Sequence, residues 1–250
     1  MMFKDNENMC GELSNLKVAC IGGIFEIWKQ QPFCTEFKLL EGNPVESVSW
    51  KGVDIGFLLV EPDKEADIYN LIKAVEAAKE ACIALLIPIV VSAVAVEVPI
   101  ALLTINPKKY TDKSELYKNI YYVIKSINDV VCIPELVNLD VADLAGVCQD
   151  KKNLIFAMGE ASGENSCMTA AEKAINKIGK QRGNAKGKVR DVLLNVTGSE
   201  DNLSMYEIQE VSGAVYDWLD DEQATIIWGA TIDDSLRDRI RVSILLGEKF

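Results

Sequence analysis

Residues 54–91 read DIGFLLVEPDKEADIYNLIKAVEAAKEACIALLIPIVV. An apolar run opens this stretch and a second one closes it. Between them, apolar residues recur at helical spacing over 64–80, so one face of a helix there is predicted to pack on a sheet. Runs rich in Val and Ile are typical of parallel strands that are buried on both faces. The stretch therefore predicts a β-α-β unit and an α/β fold.

The same patterns extend to the rest of the chain. A short strand over 16–21 runs into Gly22 and Gly23, and a long amphipathic helix is predicted over 114–131. The second half is predicted to alternate strands with helices, and its last strand, RIRVSILL, alternates so strictly that one face is expected to be exposed. The strands predicted after the opening stretch are 100–105, 154–159, 191–197, 224–232 and 239–246.

The apolar segment Ala81–Ile105 is long enough to resemble a membrane span. Pro88, Glu97 and Pro99 argue against that alternative and favour two buried strands joined by a short connection. We therefore expect no direct insertion into a membrane.

Composition excludes several classes of function. The formal net charge is −12 and histidine is absent, which excludes Ser-His-Asp and Cys-His catalysis and any metal site that needs imidazole. We expect no metal site. The most basic stretch, 177–190, lacks aromatic residues and is interpreted as a solvated loop, so nucleic-acid binding is not expected. Seven cysteines without a C-x-x-C pair, and a charged N-terminus, indicate reduced thiols and a cytoplasmic protein.

Four ordered segments resemble FtsZ, the bacterial member of the tubulin superfamily. The first, ELVNLDVAD, contains Asn138, Asp140 and Asp143 in the N-x-D-x-x-D pattern of the FtsZ synergy loop. The other three follow it in the family's order and are spread along the chain as far as Leu246. They are GEASGE from Gly159, LNVTGSED from Leu194, and IIWGATIDD from Ile226 running into RIRVSILL.

The resemblance implies a subunit that assembles head to tail, with the synergy loop of one subunit inserted into the nucleotide pocket of the next. Asp140 and Asp143 would then orient or polarise the water that attacks the γ-phosphate, and Asn138 would position it. The alternative is that Asn138 and Asp140 only cap the helix that follows them. The resemblance also implies a fold with a reduced Rossmann-like nucleotide lobe, a long connecting helix and an α+β C-terminal lobe. The corresponding boundaries are 1–112, 113–150 and 151–250.

The nucleotide half departs from the family. Only Gly22 and Gly23 remain of the first glycine loop, followed by the bulky residues 24–28, and Asn106 resembles a family turn that lacks its aspartate here. The family's GGGTGTG loop is replaced by VEPDKE at 60–65, whose carboxylates would repel a phosphate. Lys113 and Tyr117 stand where the family has guanine-facing residues, and a helix and strands are missing between Gly22 and residue 54.

Two hypotheses follow. The first is a pseudo-GTPase without a cofactor that binds or caps polymers of an FtsZ-type protein through its synergy loop. The alternative is a minimal GTPase that binds GTP with Mg²⁺ and forms filaments with itself. In that case a further loop, Glu41–Pro44, is the other candidate for holding phosphate.

Overall fold

A computed structural model describes residues 15–132, 139–182 and 189–248. Its eight strands form one continuous sheet in the order β1-β2-β3-β4-β5-β8-β6-β7. The first five run parallel, β8 is antiparallel to both of its neighbours, and β7 is parallel to β6. The strands are β1 Leu16–Gly22, β2 Ile55–Glu61, β3 Leu85–Val91, β4 Leu102–Ile105, β5 Asn153–Ser162, β6 Val189–Gly198, β7 Thr225–Ile232 and β8 Arg239–Glu248.

Six α-helices connect these strands in the described parts of the chain. They are α1 Ile24–Lys29, α2 Glu65–Glu80, α3 Lys113–Cys132, α4 Val141–Cys148, α5 Ser166–Arg182 and α6 Met205–Leu219. The predicted β-α-β unit is confirmed, because α2 joins two neighbouring parallel strands, β2 and β3. Ser204 and Glu207 form a capping box at the start of α6, and the S-x-x-E spacing of these two residues in the sequence predicts a helix start there.

The segment Ala81–Ile105 forms the neighbouring parallel strands β3 and β4, as predicted. The connection between them is longer than expected, since it spans ten residues, 92–101. Within the described ranges, no helix combines the length and the apolar character that crossing a membrane requires.

The prediction that one face of β8 is exposed is wrong. Only Arg239 is exposed in this strand, because Ser126 and Tyr122 of α3 lie against Ser243 and Arg241 on the polar face and α5 covers the other face. The polar side chains are satisfied under α3: the hydroxyl groups of Ser243 and Ser126 lie 2.9 Å apart, and the Nε of Arg241 donates to Glu160 at 2.7 Å. The alternation of polar and apolar residues in β8 could not predict burial under α3, since this helix lies more than a hundred residues away in sequence.

Helix α3 packs on the sheet across both halves of the chain. Its buried residues form one core cluster with strands from the N-terminal half and with Leu154, Phe156, Leu193 and Leu245 from the C-terminal half. The opposite face of the sheet is covered by α2 in the N-terminal half and by α5 and α6 in the C-terminal half. The long helix therefore links the two halves through a shared apolar core.

Candidate functional site

The carboxyl ends of the parallel strands meet at one edge of the sheet, where α/β proteins usually bind ligands. This edge, which we call the carboxyl edge, carries Gly22 at the end of β1, Glu61 at the end of β2 and Asn106 directly after β4. Strands β2 and β3 separate the glycine pair from Asn106. The predicted nucleotide-binding residues therefore share an edge but do not form one cluster.

Gly22 approaches another part of its own chain closely. Its φ is +80°, and a Cβ at this position would lie 2.8 Å from the carbonyl oxygen of Glu61. At Gly23, a Cβ would lie 3.2 Å from Oδ2 of Asp63. The space that a side chain would fill at these two glycines is therefore occupied by Glu61, the last residue of β2, and by Asp63.

The buried side chain of Asp67 caps backbone amides at the start of α2. Its side chain is buried, and its Oδ2 accepts hydrogen bonds from the backbone N–H groups of Asp63 at 3.0 Å and of Lys64 at 3.3 Å. Free N–H groups at a helix start are the donors that a phosphate needs. Two donors beside the glycine pair are therefore already engaged by a carboxylate of the chain itself.

Glu61 joins the end of β2 to α3. The hydroxyl of Tyr117 donates to its Oε2 at 3.1 Å, and the Nζ of Lys113 lies 3.6 Å from its Oε1. Burial raises the pKa of the Tyr117 phenol above its ordinary value, and the Glu61 carboxylate raises it further. The two positions predicted to replace guanine-facing residues thus bind a glutamate of the same chain.

Bulky side chains follow the glycine pair directly. Helix α1 begins at Ile24, and the side chains of Ile24 and Trp28 are fully buried in the core cluster that α3 shares. Phe25, on the other face of this short helix, is partly exposed. This segment continues the core up to Gly23 and adds no glycine to the carboxyl edge.

These residues fit a phosphate group poorly. The carboxylates of Asp63 and Asp67 lie beside the glycine pair, and the backbone carbonyl of Glu61 lies against Gly22. Lys113 of α3 is paired with the Glu61 carboxylate. At about 4 Å and an effective dielectric constant of about 20, each unscreened carboxylate–phosphate pair would cost about 4 kcal/mol.

The other two candidate ligand segments use their polar atoms locally. The Oδ1 of Asn106 accepts from the backbone N–H of Lys108 at 3.0 Å and caps a short 3₁₀ turn. In the loop Glu41–Pro44, the carbonyl of Pro44 accepts from the Trp50 indole at 2.8 Å.

Asp140 and Asp143 lie near the opposite edge of the sheet. Helix α3 starts beyond the carboxyl end of β4, and its twenty residues run about 30 Å back along the sheet. Helix α4 follows, and Gln149 at its end donates to the carbonyl of Ala84, just before the start of β3, at 3.1 Å. The third predicted member of this group, Asn138, lies outside the described residues.

Both aspartates are exposed at the start of α4. The Oδ1 of Asp140 accepts from the backbone N–H of Asp143 at 2.7 Å, so Asp140 is the N-cap of this helix. Leu144, Val147 and Cys148 are buried and hold α4 against the sheet. The capping role is therefore present, and among the described residues neither aspartate carboxylate makes a further hydrogen bond or ion pair.

Sequence reasoning missed the inward position of Asp67 and the contact of Tyr117 with Glu61. Asp67 stands three residues after Lys64 at a helix start, where an acidic residue commonly turns back to the helix amides, so this signal was present. The contact between Tyr117 and Glu61 joins residues 56 positions apart and left no local signal.

Comparison with known proteins agrees with this description. Residues 153–248 match the model for the C-terminal domain of the FtsZ family. The cell division protein FtsZ of Wolbachia pipientis is 34% identical over 137 residues, which cover 54% of this chain and 42% of that protein. FtsZ of Caulobacter vibrioides is 38% identical over 122 residues, covering 49% of this chain and 23% of the relative. The chain thus spans less than half the length of these curated relatives.

The fold is that of FtsZ. A solved structure of an FtsZ W319Y mutant from M. jannaschii superposes with a TM-score of 0.70 at 17% identity, covering 94% of this chain and 91% of that one. An empty FtsZ dimer from the same organism gives 0.68 at 18% identity and covers 94% and 88%. The predicted tubulin/FtsZ-like α/β fold is confirmed.

Proposed function

Because this chain is an FtsZ-like protein, we propose that it acts in cell division as a pseudo-GTPase. In this proposal it resides in the cytoplasm and binds or caps an FtsZ-type polymer through the end that carries Asp140 and Asp143. The observation that carries the proposal is the contrast between the two edges of the sheet. One edge is occupied by the chain's own carboxylates, and the other presents exposed aspartates.

The exposed aspartates provide suitable chemistry for acting on a partner's nucleotide. A carboxylate near a γ-phosphate can orient the attacking water, and the rest of the catalytic charge would come from the partner's own site and its Mg²⁺. Within the described parts of the chain, the Asp143 carboxylate has no partner and Asp140 uses one oxygen for its capping bond. The end bearing them would dock on the exposed nucleotide at the terminus of a polymer.

The carboxyl edge supports the other half of the proposal. A subunit that follows in a head-to-tail row would need a nucleotide at the position of Gly22. There, Asp67 already accepts from the backbone amides of Asp63 and Lys64, and the Glu61 carbonyl takes the adjacent space. A protein of this kind would add to one end of a row and prevent the next addition.

The first experiment measures nucleotide binding and assembly. The purified chain is titrated with GTP and Mg²⁺ by calorimetry, and light scattering is followed alone and in mixtures with an FtsZ. The proposal expects no saturable binding and no scattering from the chain alone, together with a changed GTP turnover or polymer mass in the mixture. Saturable GTP binding with self-assembly would instead establish the minimal GTPase.

A second experiment tests the aspartates while preserving the helix cap. Asn caps helices about as well as Asp, so Asp140→Asn combined with Asp143→Asn removes two charges at little cost in stability. We expect the change in FtsZ GTP turnover caused by this variant to be at least about tenfold smaller than the change caused by wild type. A matched control, Glu76→Gln with Glu172→Gln, removes two exposed charges from α2 and α5.

Both variants are compared with wild type by thermal melting and by GTP turnover of the mixture. If the double asparagine variant acts like wild type, the synergy-loop proposal is wrong. If the control loses the effect equally, the effect depends on net charge and does not depend on this site.

A further inference from the structure

A buried ion pair attaches the end of α4 to the sheet. Lys151 follows this helix, its side chain is 3% exposed, and its Nζ lies 2.6 Å from Oδ2 of Asp191 in β6. The same Nζ donates to the carbonyl oxygen of Gly146, in the last turn of α4, at 2.8 Å. A positive charge is favoured at the C-terminal end of a helix. One ammonium group therefore connects the last turn of α4 to the sheet.

Gly247 provides the space for this connection. It lies in β8 and pairs with Asp191 of the neighbouring strand β6. A Cβ on Gly247 would clash with the carbonyl oxygen of Val147 in α4 and would lie 2.8 Å from Cε of Lys151. The helix backbone and the side chain of Lys151 thus both lie directly against β8, and close packing of this kind leaves little room for either to shift.

Stability alone explains this ion pair poorly. Moving two charges out of water is costly, and well-packed apolar side chains in place of a buried ion pair often stabilise a protein equally well or better. The ion pair adds direction, which apolar contacts lack. The Nζ of Lys151 is held within hydrogen-bond distance of two oxygen atoms, one on the helix and one on the sheet.

Direction matters for α4 because the helix is short. Its eight residues span about 12 Å, and a helix of this length is not stable by itself. Leu144, Val147 and Cys148 are buried, but apolar contacts tolerate a small rotation of the helix. Asp140 and Asp143 lie at the start of α4, so a rotation would displace their carboxylates. A displacement of about 1 Å near a reacting group can lower a rate about a hundredfold.

From this geometry, we propose that Lys151 and Asp191 are positioning residues. Their ion pair fixes the orientation of α4, and α4 in turn directs the carboxylates of Asp140 and Asp143 at the attacking water in a partner's nucleotide site. Lys151 is buried and acts only through the helix. The inference rests on the proposed function and adds to it the residues that orient the exposed aspartates.

The test removes both charges together. In Lys151→Met with Asp191→Asn, both side chains keep nearly the same shape, and the asparagine reaches water because Asp191 is half-buried, so the variant should melt close to wild type. GTP turnover of an FtsZ is then measured over a range of variant concentrations. We expect the maximal change in turnover to be at least about tenfold smaller than with wild type, while the concentration for half of the change stays the same.

A matched control removes a second ion pair at the other end of β8. The Nε of Arg241 lies 2.7 Å from Oε1 of Glu160, and the Arg241 side chain is buried. Arg241→Met with Glu160→Gln should leave the maximal change in FtsZ turnover as it is with wild type. If Lys151→Met with Asp191→Asn melts well below wild type, Lys151→Met with Asp191→Val, which places apolar groups at both positions, replaces it with the same expectation.

Three outcomes would overturn the inference when wild type does change FtsZ turnover. They are an unchanged maximal effect in the charge-free variant, an equal loss in the control, and a loss that a higher concentration of the charge-free variant overcomes. The last outcome would mean that the ion pair affects docking and does not orient the aspartates. If wild type itself leaves FtsZ turnover unchanged, the proposed function fails and this inference fails with it, so the wild-type measurement distinguishes the two failures.

Discussion

Glu61 is the residue at which β2 and α3 meet the glycine pair. Its carboxylate binds Tyr117 and Lys113, and its backbone carbonyl faces Gly22. Tyr117 is completely buried, so its hydroxyl depends on this acceptor. The interaction therefore contributes to the stability of the carboxyl edge as well as to its charge.

Replacing Tyr117 by Phe tests this contact through its pH dependence. At pH 8, the loss of the hydrogen bond should lower the free energy of unfolding by about 1 to 2 kcal/mol. The folded-state pKa of Tyr117 is raised above 10.0, mainly by burial and then by Glu61. The neutral phenol therefore stabilises the fold below pH 10, and this contribution is lost as the pH rises further.

We expect the stability difference between wild type and Tyr117→Phe, measured as urea midpoints under reducing conditions, to shrink as the pH rises from about 10 to about 11. Tyr69→Phe, at an exposed tyrosine, should leave the midpoint at pH 8 unchanged. Parallel pH curves for wild type and Tyr117→Phe would contradict the assignment.

For single residues, the sequence predicts which charged residues lie at the carboxyl edge but does not predict which way their side chains point. The acidic segment 61–65 was expected at the carboxyl edge because it follows a buried strand. Which carboxylate turns inward depends on the helix amides and on residues far away in sequence, as Asp67 and Glu61 illustrate. The sequence leaves two roles open for Asp140, a helix cap and a residue that acts on a partner's nucleotide, and its geometry is compatible with both.

At the scale of elements, glycines in the family-like segments set how closely helices pack on strands. Gly159 lies in β5, and a Cβ there would clash with the carbonyl oxygen of Ala170 and would lie 2.9 Å from the amide nitrogen of Ala174, both on α5. At Gly198, a Cβ would lie 2.6 Å from Ile240. Close backbone approach at Gly159 and tight side-chain packing at Gly198 give these glycines of the GEASGE and LNVTGSED segments a structural role.

Gly159→Ala should therefore push α5 away from β5 and lower the free energy of unfolding by at least about 2 kcal/mol. Gly179→Ala on α5 is the control, since its Cβ meets no atom and alanine favours a helix by up to about 1 kcal/mol over glycine. Urea unfolding of both variants should give changes of opposite sign. Equal changes would show that the packing at Gly159 is not restrictive.

Elements were predicted well where periodicity is local. The strands, α2, α3, α5 and α6 follow from apolar patterns and one capping box. The burial of β8 is not predicted, because it depends on contacts with α3, which lies far away in sequence.

At the scale of the molecule, β4 and β5 join the two halves of the sheet through two residue pairs, Leu102–Asn153 and Leu103–Leu154. Helix α3 adds the shared core. We therefore expect one cooperative unfolding transition rather than one for each half.

Hydrogen exchange with mass spectrometry, measured through a urea series, provides the test. Peptides from β2 and from β6 should lose protection at the same urea concentration, because each half depends on the other's side of the core cluster. Separate midpoints for β2 and β6 would contradict the prediction and would support the domain boundaries expected from the sequence.

The join between β4 and β5 also has a mechanical consequence. Rotating one half of the molecule relative to the other would break backbone hydrogen bonds between β4 and β5 and would also displace packed side chains. The two halves should therefore move together as a rigid unit when a force is applied to one edge of the sheet. If the chain binds the end of a polymer as proposed, this rigidity would keep it at a fixed angle to the subunit it contacts.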